Sequence, residues 1–429
     1  MSKQKPYRIV DIDITEYTAK GNGLGRCNNP NPEGDPWVLD VPFTMPGDRA
    51  QVKVLKKKAG VQHCALVQIL SPSPDRIEAR CIHFGICGGC RWQHLPYALQ
   101  LKNKELYVQR CFGLLITPGV KFYPILPCEQ AWEYRNKMEF SFSANIAGDK
   151  FLGLIMDSSR GKVLNLTECH LVHNWQIDTL RAVRAWWEDS TLEAYHPSKN
   201  QGSLRTLMLR EGFRTGDRMV VLTVSGNHDY ALHKGQIASF LESVKNAAGI
   251  DSGSGKLSIF LRIQQIAKGT ATTFFEMHLE GPDTIKEVLY VKSHPDAIAD
   301  ELTFKISPAA FFQPNTLQAE QLYSKVLQLA EIEPNSIIYD LYCGTGTLGI
   351  CLAKHAKQII GIEISPEAVL DARANAALNG FTNVTIIDGS VGKVLGQPYK
   401  GEYLPKPDIV LVDPPRAGLE AAAIKQLLA

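Results

Sequence analysis

Two stretches of the chain hold residues whose types and spacing could do chemistry. In "DLYCGTGTLGI", Asp340 to Ile350, glycines at 344, 346 and 349 sit where an apolar run turns into a helical pattern. Glycine there lets the backbone turn sharply and approach a ligand closely. About twenty residues on, the next apolar run ends in Glu363, placed to accept hydrogen bonds from a ribose. A third run, "DIVLVDPP", ends in Asp413, with Arg416 behind the two prolines. No Gly-Lys-Ser/Thr follows the glycine turn, which excludes a P-loop. The D-x-x-C-G-x-G form also departs from the dinucleotide fingerprint, and with the strand-end acid it points to S-adenosylmethionine.

The second stretch, "CIHFGICGGC", spaces Cys81, Cys87 and Cys90 as C-x5-C-x2-C. Two glycines in the last gap leave backbone N–H groups free to face sulfur. Three thiolates need a fourth ligand, and Cys169 in "LNLTECHLV" is the best candidate, after a polar turn and beside His170. Four thiolates suit structural zinc or an iron–sulfur cluster, and the spacing leaves both open. The remaining cysteines (Cys27, Cys64, Cys111, Cys128, Cys343, Cys351) lie in strand or helix patterns, where buried thiols are ordinary packing.

The elements that must position these residues fall into three regions. Residues 1–75 alternate apolar and polar in "YRIVDIDIT" and "QVKVLKKKAGVQHCALVQIL", with turn chemistry in "GNGLGR" and "NPNPEGDP". A small antiparallel, glycine-cornered β-barrel is expected, with Lys53, Lys56, Lys57 and Lys58 on a basic edge suited to nucleic-acid backbone. Residues 76–295 hold the cysteine loop, a helix in "ALQLKNKELYVQRCFGLL" and strands such as "KMEFSFSAN", "FLGLIMD", "RMVVLTVSG", "LSIFLRIQQ" and "TATTFFEMHL". That mixture predicts an α+β domain on an antiparallel sheet. From 296 to 429, an amphipathic helix precedes strand, helix, strand, helix, strand, strand, the rhythm of a doubly wound Rossmann-like α/β domain.

Composition narrows the setting. A chain of 429 residues exceeds one ordinary core. Its net charge is only +2, yet residues 1–110 carry 16 Lys and Arg against 10 Asp and Glu, which permits a polyanion contact there. "MSKQKPYRIV" lacks a secretory h-region, and no apolar run reaches membrane-spanning length. A cytoplasmic protein with reduced or metal-bound cysteines and no membrane contact is expected, and a monomer.

Barrel, C-x5-C-x2-C, distant cysteine, "FFQPNT", "DLYCGTGTLGI", "GIEIS" and "DPPRAG", in that order, resemble the RNA uracil-5-methyltransferases. In particular they resemble the 23S rRNA 5-methyluridine branch, with its TRAM barrel and [4Fe–4S] cluster. The resemblance runs from residue 7 to the end. It implies a cluster on Cys81, Cys87, Cys90 and Cys169, and S-adenosylmethionine contacts from Gln313, Tyr342, Glu363 and Asp413. Ser390 stands where the family usually has Asp or Asn near the adenine, so a weakened contact is expected. Barrel and cluster together favour 23S rRNA over tRNA as the partner.

Methylation at C5 of uracil also requires a thiolate that adds at C6 and a base that removes the C5 proton. The target base must leave its stack as well. The family's Ser-Cys-Asn-Pro nucleophile segment and its later Glu are absent, so both are expected beyond Ala429, in a carboxyl-terminally truncated enzyme. Two other readings stay open. One is a non-catalytic RNA-binding remnant; the other is an RNA amine methyltransferase using the Asp-Pro-Pro loop, against which Arg416 replaces the expected aromatic.

Overall fold

A computed structural model of the chain describes residues 8–29, 31–157, 159, 161–250, 255–266 and 272–428. Pro30 of the "NPNPEGDP" turn and Thr270–Ala271 at the head of the last central strand lie outside the described residues. The chain forms two compact units, Met1–Ala131 with Gly153–His170 and Trp132–Leu152 with Leu171–Ala429. Among the described residues, no helix is long and apolar enough to cross a membrane.

In the first unit, β1 (Arg8–Tyr17), β2 (Gly23–Cys27), β3 (Trp37–Val41), β4 (Arg49–Lys58) and β5 (Val61–Ser71) close a barrel in the order β1-β2-β3-β5-β4. Strand alternation drives this closure. Ile12, Ile14, Leu39, Val41, Ala50, Val52 and Cys64 point into one core while their neighbours face out. Four seams are antiparallel, but β3 and β5 run parallel. The expected all-antiparallel barrel is corrected at that seam for a topological reason. Five strands of alternating direction cannot close on themselves without one parallel pair. Gly25 sits opposite a bulge in β1, where a Cβ would lie 2.5 Å from the Asp13 carbonyl. After the cysteine loop comes helix α1 (Tyr97–Phe112).

The second unit begins with β6 (Lys137–Ala144) and β7 (Lys150–Ile155); the chain passes into the first unit within β7, whose end forms a hairpin with β8 (Val163–Asn165). It continues through α2 (Asn174–Glu188), β9 (Leu204–Glu211), β10 (Arg218–Ser225), α3 (Lys234–Ala248), β11 (Leu257–Gln265) and β12 (Thr273–Glu280). The sheet order is β12-β11-β10-β9-β6-β7-β8. It is mixed, not purely antiparallel as expected: β10 and β11 are parallel because α3 crosses over between them.

A two-stranded sheet of β13 (Ile285–Val291) and β14 (Asp300–Ile306) leads to α4 (Thr316–Leu329). Then β15 (Ile337–Leu341), α5 (Thr347–Leu352), β16 (Gln358–Glu363), α6 (Pro366–Leu378), β17 (Val384–Asp388), α7 (Val391–Gly396), β18 (Ile409–Val412) and α8 (Ala421–Leu427) complete the chain. The four strands are parallel, in the order β17-β16-β15-β18. Ile338 and Ile359 face one core; Tyr339 and Ile360, their next neighbours, face the other. That two-sided burial explains the continuous apolar runs. Met208, Met219, Val221 and Phe260 of the mixed sheet share a core with Phe304, Tyr323, Ile338 and Ile350. This shared core makes residues on both sides of position 295 one compact unit.

Candidate active site and cysteine loop

The parallel sheet places its chemistry at the carboxyl ends of its strands, beside the point where strand order reverses between β15 and β18. After β15 the backbone takes three left-handed residues: Tyr342 (φ 61°), Gly344 (φ 54°) and Gly346 (φ 74°). The strained one is Tyr342, because a side chain disfavours that region. A Cβ on Gly344 would meet open space, whereas one on Gly346 would lie 3.1 Å from the Ala372 Cβ. At Gly349 a Cβ would come within 2.8 Å of the Asp340 carboxylate, and the Gly349 N–H donates to that same Oδ2 at 2.8 Å.

Three acids gather around this turn. Glu363, ending β16, accepts from the Gly344 N–H at 2.9 Å through Oε2 and from the Ile364 and Ser365 N–H groups at 2.8 Å through Oε1. A carboxylate offers about four acceptor positions, so one on Oε2 is left for a ligand. Asp340 is fully buried, and its carboxyl is pushed up to about 7 by that burial first, then by Asp413 and Glu363, against the Gly349 N–H. Asp413 follows β18 and is solvent-exposed, as is Arg416. Sequence reasoning had not singled out Asp340, although it heads the quoted motif.

Of the other expected contacts, Gln313 lies on the segment before α4. Asn136, 2% exposed, holds that segment by donating to the Gln313 carbonyl at 2.9 Å, with a second bond to the Thr316 hydroxyl. Thr345 ties the glycine turn to the same segment through the Phe311 carbonyl. Nothing local could have revealed Asn136, since its partners are far away in sequence. The Tyr342 hydroxyl is buried and, among the described residues, has no hydrogen-bond partner. Ser390 caps α7, and its hydroxyl donates to the Glu420 carboxylate at 3.0 Å; the Gly392 N–H donates to Glu420 as well. Glu420, another residue the sequence did not flag, occupies the Ser390 hydroxyl in this structure. Cys343 and Cys351 are no candidates for attack: burial pushes both thiols far above their ordinary range.

In the first unit, the cysteine loop is pinned to the end of β7 and to the segment just before Cys169. Cys87 bridges to Met156, the Gly88 N–H donates to the Ile155 carbonyl, and the Ile82 N–H donates to Glu168 at 2.7 Å. His83 and Thr167 exchange further bonds. The Gly89 N–H faces the Cys87 sulfur at 3.4 Å, as the two glycines suggested. Burial raises the Cys81 thiol to about 11, helped by Glu168 and Cys90, and raises Cys87, helped by Cys90. The donor chemistry fits a thiolate-held group. The arrangement does not complete one: among the described residues, no three His, Cys, Asp or Glu side chains converge as metal ligands. Two cysteines placed among packed elements are also corrected, since Cys111 is exposed and Cys128 lies in a loop.

A family model described as tRNA (Uracil-5-)-methyltransferase matches residues 261–428. An uncharacterized RNA methyltransferase of Protochlamydia amoebophila is 53% identical over 91% of this chain and 88% of its own length. One from Chlamydia trachomatis is 37% identical over 81% of this chain and 84% of its own. Among solved structures, the Pyrococcus abyssi tRNA (uracil-54, C5)-methyltransferase in complex with S-adenosyl-L-homocysteine aligns with a TM-score of 0.69. It is 23% identical and covers 97% of this chain and 86% of its own, a likeness of fold. With the acid-lined glycine turn in place at the sheet's switch point, these relatives have one reading: the chain belongs to a family of RNA methyltransferases, and its residues 261–428 match the uracil-5 model.

Proposed function

We propose that this chain serves the transfer of a methyl group from S-adenosylmethionine to C5 of a uridine in RNA, with 23S rRNA as the substrate class. The observation that carries the reading is the acid-lined crevice. Burial is the main cause of the raised Asp340 carboxyl, and Asp413 and Glu363 add to it; a crevice lined by these acids disfavours phosphates and favours a ligand with net positive charge. A sulfonium with an α-amino group meets that demand; a nucleoside polyphosphate does not. When bound, the cofactor supplies an electrophilic methyl group.

Each residue then has a definable task. Glu363, with its remaining acceptor on Oε2, takes a ribose hydroxyl. The orphaned Tyr342 hydroxyl and the segment of Gln313, held by Asn136 and Thr345, face the remaining polar groups. Ser390, while donating to Glu420, keeps only acceptor capacity for the adenine edge, which fits a weak contact there.

The same reading puts a [4Fe–4S] cluster on Cys81, Cys87, Cys90 and Cys169. It is supported by the four-thiol donor set and by the bonds fastening the 81–90 loop to Met156 and to Glu168, the neighbour of Cys169. Its role there is structural and RNA-positioning. One observation favours tRNA as the alternative substrate. The Pyrococcus abyssi tRNA methyltransferase covers 97% of this chain, so the barrel by itself does not separate the two RNA classes.

The test is tritium transfer from labelled S-adenosylmethionine to unmodified 23S rRNA and to bulk tRNA, with nucleoside mapping. Label in 5-methyluridine of 23S rRNA supports the proposal, and label confined to tRNA moves the substrate. Methyl groups on an exocyclic amine would overturn C5 chemistry. RNA binding without methyl transfer that persists after cofactor removal favours the binding remnant.

A further inference from the structure

The first unit contains a cavity of about 1000 Å3 between the β1–β2 turn of the barrel and α1. Helix α1 buries none of its side chains. Its Gln100 side chain donates to the Trp92 and Leu95 carbonyls at 3.1 and 3.0 Å. The Glu105 carboxylate accepts from the Ile125 N–H at 2.8 Å, and the Tyr97 hydroxyl accepts from the Cys128 N–H at 2.7 Å. Lys104, Tyr107, Val108 and Cys111, three and four residues apart, line the cavity, and all four are exposed.

The opposite wall is built, not incidental. Trp92 Nε1 donates to the Gly21 carbonyl at 2.6 Å, and its indole would lie 2.7 Å from any Cβ at Gly21, whose φ is +80°. Tyr17 packs at a tilt against the same indole, ring centres 5.7 Å apart. Around these aromatic surfaces stand Lys20, Arg91, Lys104 and Arg110. The acid among the lining residues, Glu16, is engaged by Arg26 at 2.8 Å.

A groove with aromatic walls and a cationic rim matches one chemistry: a nucleobase between rings, with its phosphates on lysine and arginine. The Lys56–Lys58 edge of β4 is exposed but does not line this cavity, and it offers charge without a stacking platform. Resting on the RNA methyltransferase reading, the geometry points to this groove as a subsite for single-stranded RNA. One unstacked base enters between Trp92 and Tyr107, and Lys20, Lys104 and Arg110 hold the flanking phosphates.

The test is titration of the full chain with a fluorescein-labelled oligouridylate dodecamer over a range of KCl concentrations. Lys104→Ala with Arg110→Ala lowers the slope of log K against log salt by about 1.4, the value for two lost single-strand phosphate contacts. Tyr107→Ala weakens binding about tenfold with the slope unchanged, as lost stacking requires. All three positions are exposed, and unchanged S-adenosylhomocysteine binding confirms that the variants fold. Wild-type affinity and slope in both variants overturn the subsite, and so does a wild-type chain that holds no single-stranded RNA. A chain that methylates RNA equally well with and without these substitutions loses the groove and keeps the function. A chain that neither binds nor methylates any RNA loses both.

Discussion

The glycine-turn crevice and the cysteine loop are both short motifs of reactive residues, yet the structure treats them differently. In the crevice, two of the three acids are fixed, Glu363 by three N–H donors and Asp340 by burial and the Gly349 N–H, while Asp413 is exposed. In the loop, the backbone is fastened at Ile82, Gly88 and Cys87 and Cys90 acts on both Cys81 and Cys87, but among the described residues no three ligand-type side chains are grouped as a metal site. The difference teaches which forces can organise a site without its ligand. Backbone donors at strand ends come from the sheet itself, whereas thiolates are drawn together by the metal they bind, and ligation energy is folding energy there.

Disrupting the crevice tests this contrast most severely. Gly349→Ala pushes a methyl group against the Asp340 carboxylate and the Ile359 side chain, both under 3 Å away by construction. Its cost should be about 3 kcal/mol, read by urea unfolding followed through tryptophan fluorescence. A wild-type midpoint would show that the turn yields and is not locked.

Asp340 supplies a pH signature. Its carboxyl is raised in the folded state from 3.8 to about 7, so between those values the native chain holds a proton that the unfolded chain releases. Stability is therefore greatest at the acid end of this window and declines as pH rises towards about 7, by about 2–4 kcal/mol. Asp340→Asn, which keeps an acceptor for Gly349, should flatten that decline. Parallel stability curves for the two proteins would remove Asp340 as its source.

Glu363→Ala leaves the Gly344, Ile364 and Ser365 N–H groups without their acceptor. S-adenosylhomocysteine affinity should fall about 100-fold by calorimetry, with Glu363→Gln intermediate because it keeps one acceptor oxygen. Equal losses in both would mean that charge, not backbone support, is what Glu363 contributes.

The smallest effect belongs to the other region. Cys169→Ser in iron-free protein should shift stability by under about 1 kcal/mol, since no assembled site is lost. After anaerobic reconstitution with iron and sulfide, the same variant should lack the brown absorbance of the parent. A parent that stays colourless but takes up stoichiometric zinc would replace the cluster with a structural metal.

Much of the crevice was legible in the sequence because its parts are local. An apolar β-branched run, a glycine turn and a strand-end acid declare themselves within about twenty residues. The same holds for α1, α4 and α6, whose patterns needed no tertiary information. The second partner of β5 was not written locally, and neither was the crossover that makes β10 and β11 parallel. Asn136 escaped notice because its side chain reaches residues 313 and 316, and Glu420 because its partner Ser390 lies beyond an intervening strand.

By itself, then, the sequence determined the element types, the turn chemistry at 344–349 and the identity of the acids, through short-range sterics and periodicity. Only the tertiary structure decided which acids act on one another, which hydroxyl is left orphaned, and that α1 leaves an open, cation-rimmed groove beside Trp92. Those outcomes depend on burial and on contacts between distant segments, and no local pattern encodes them.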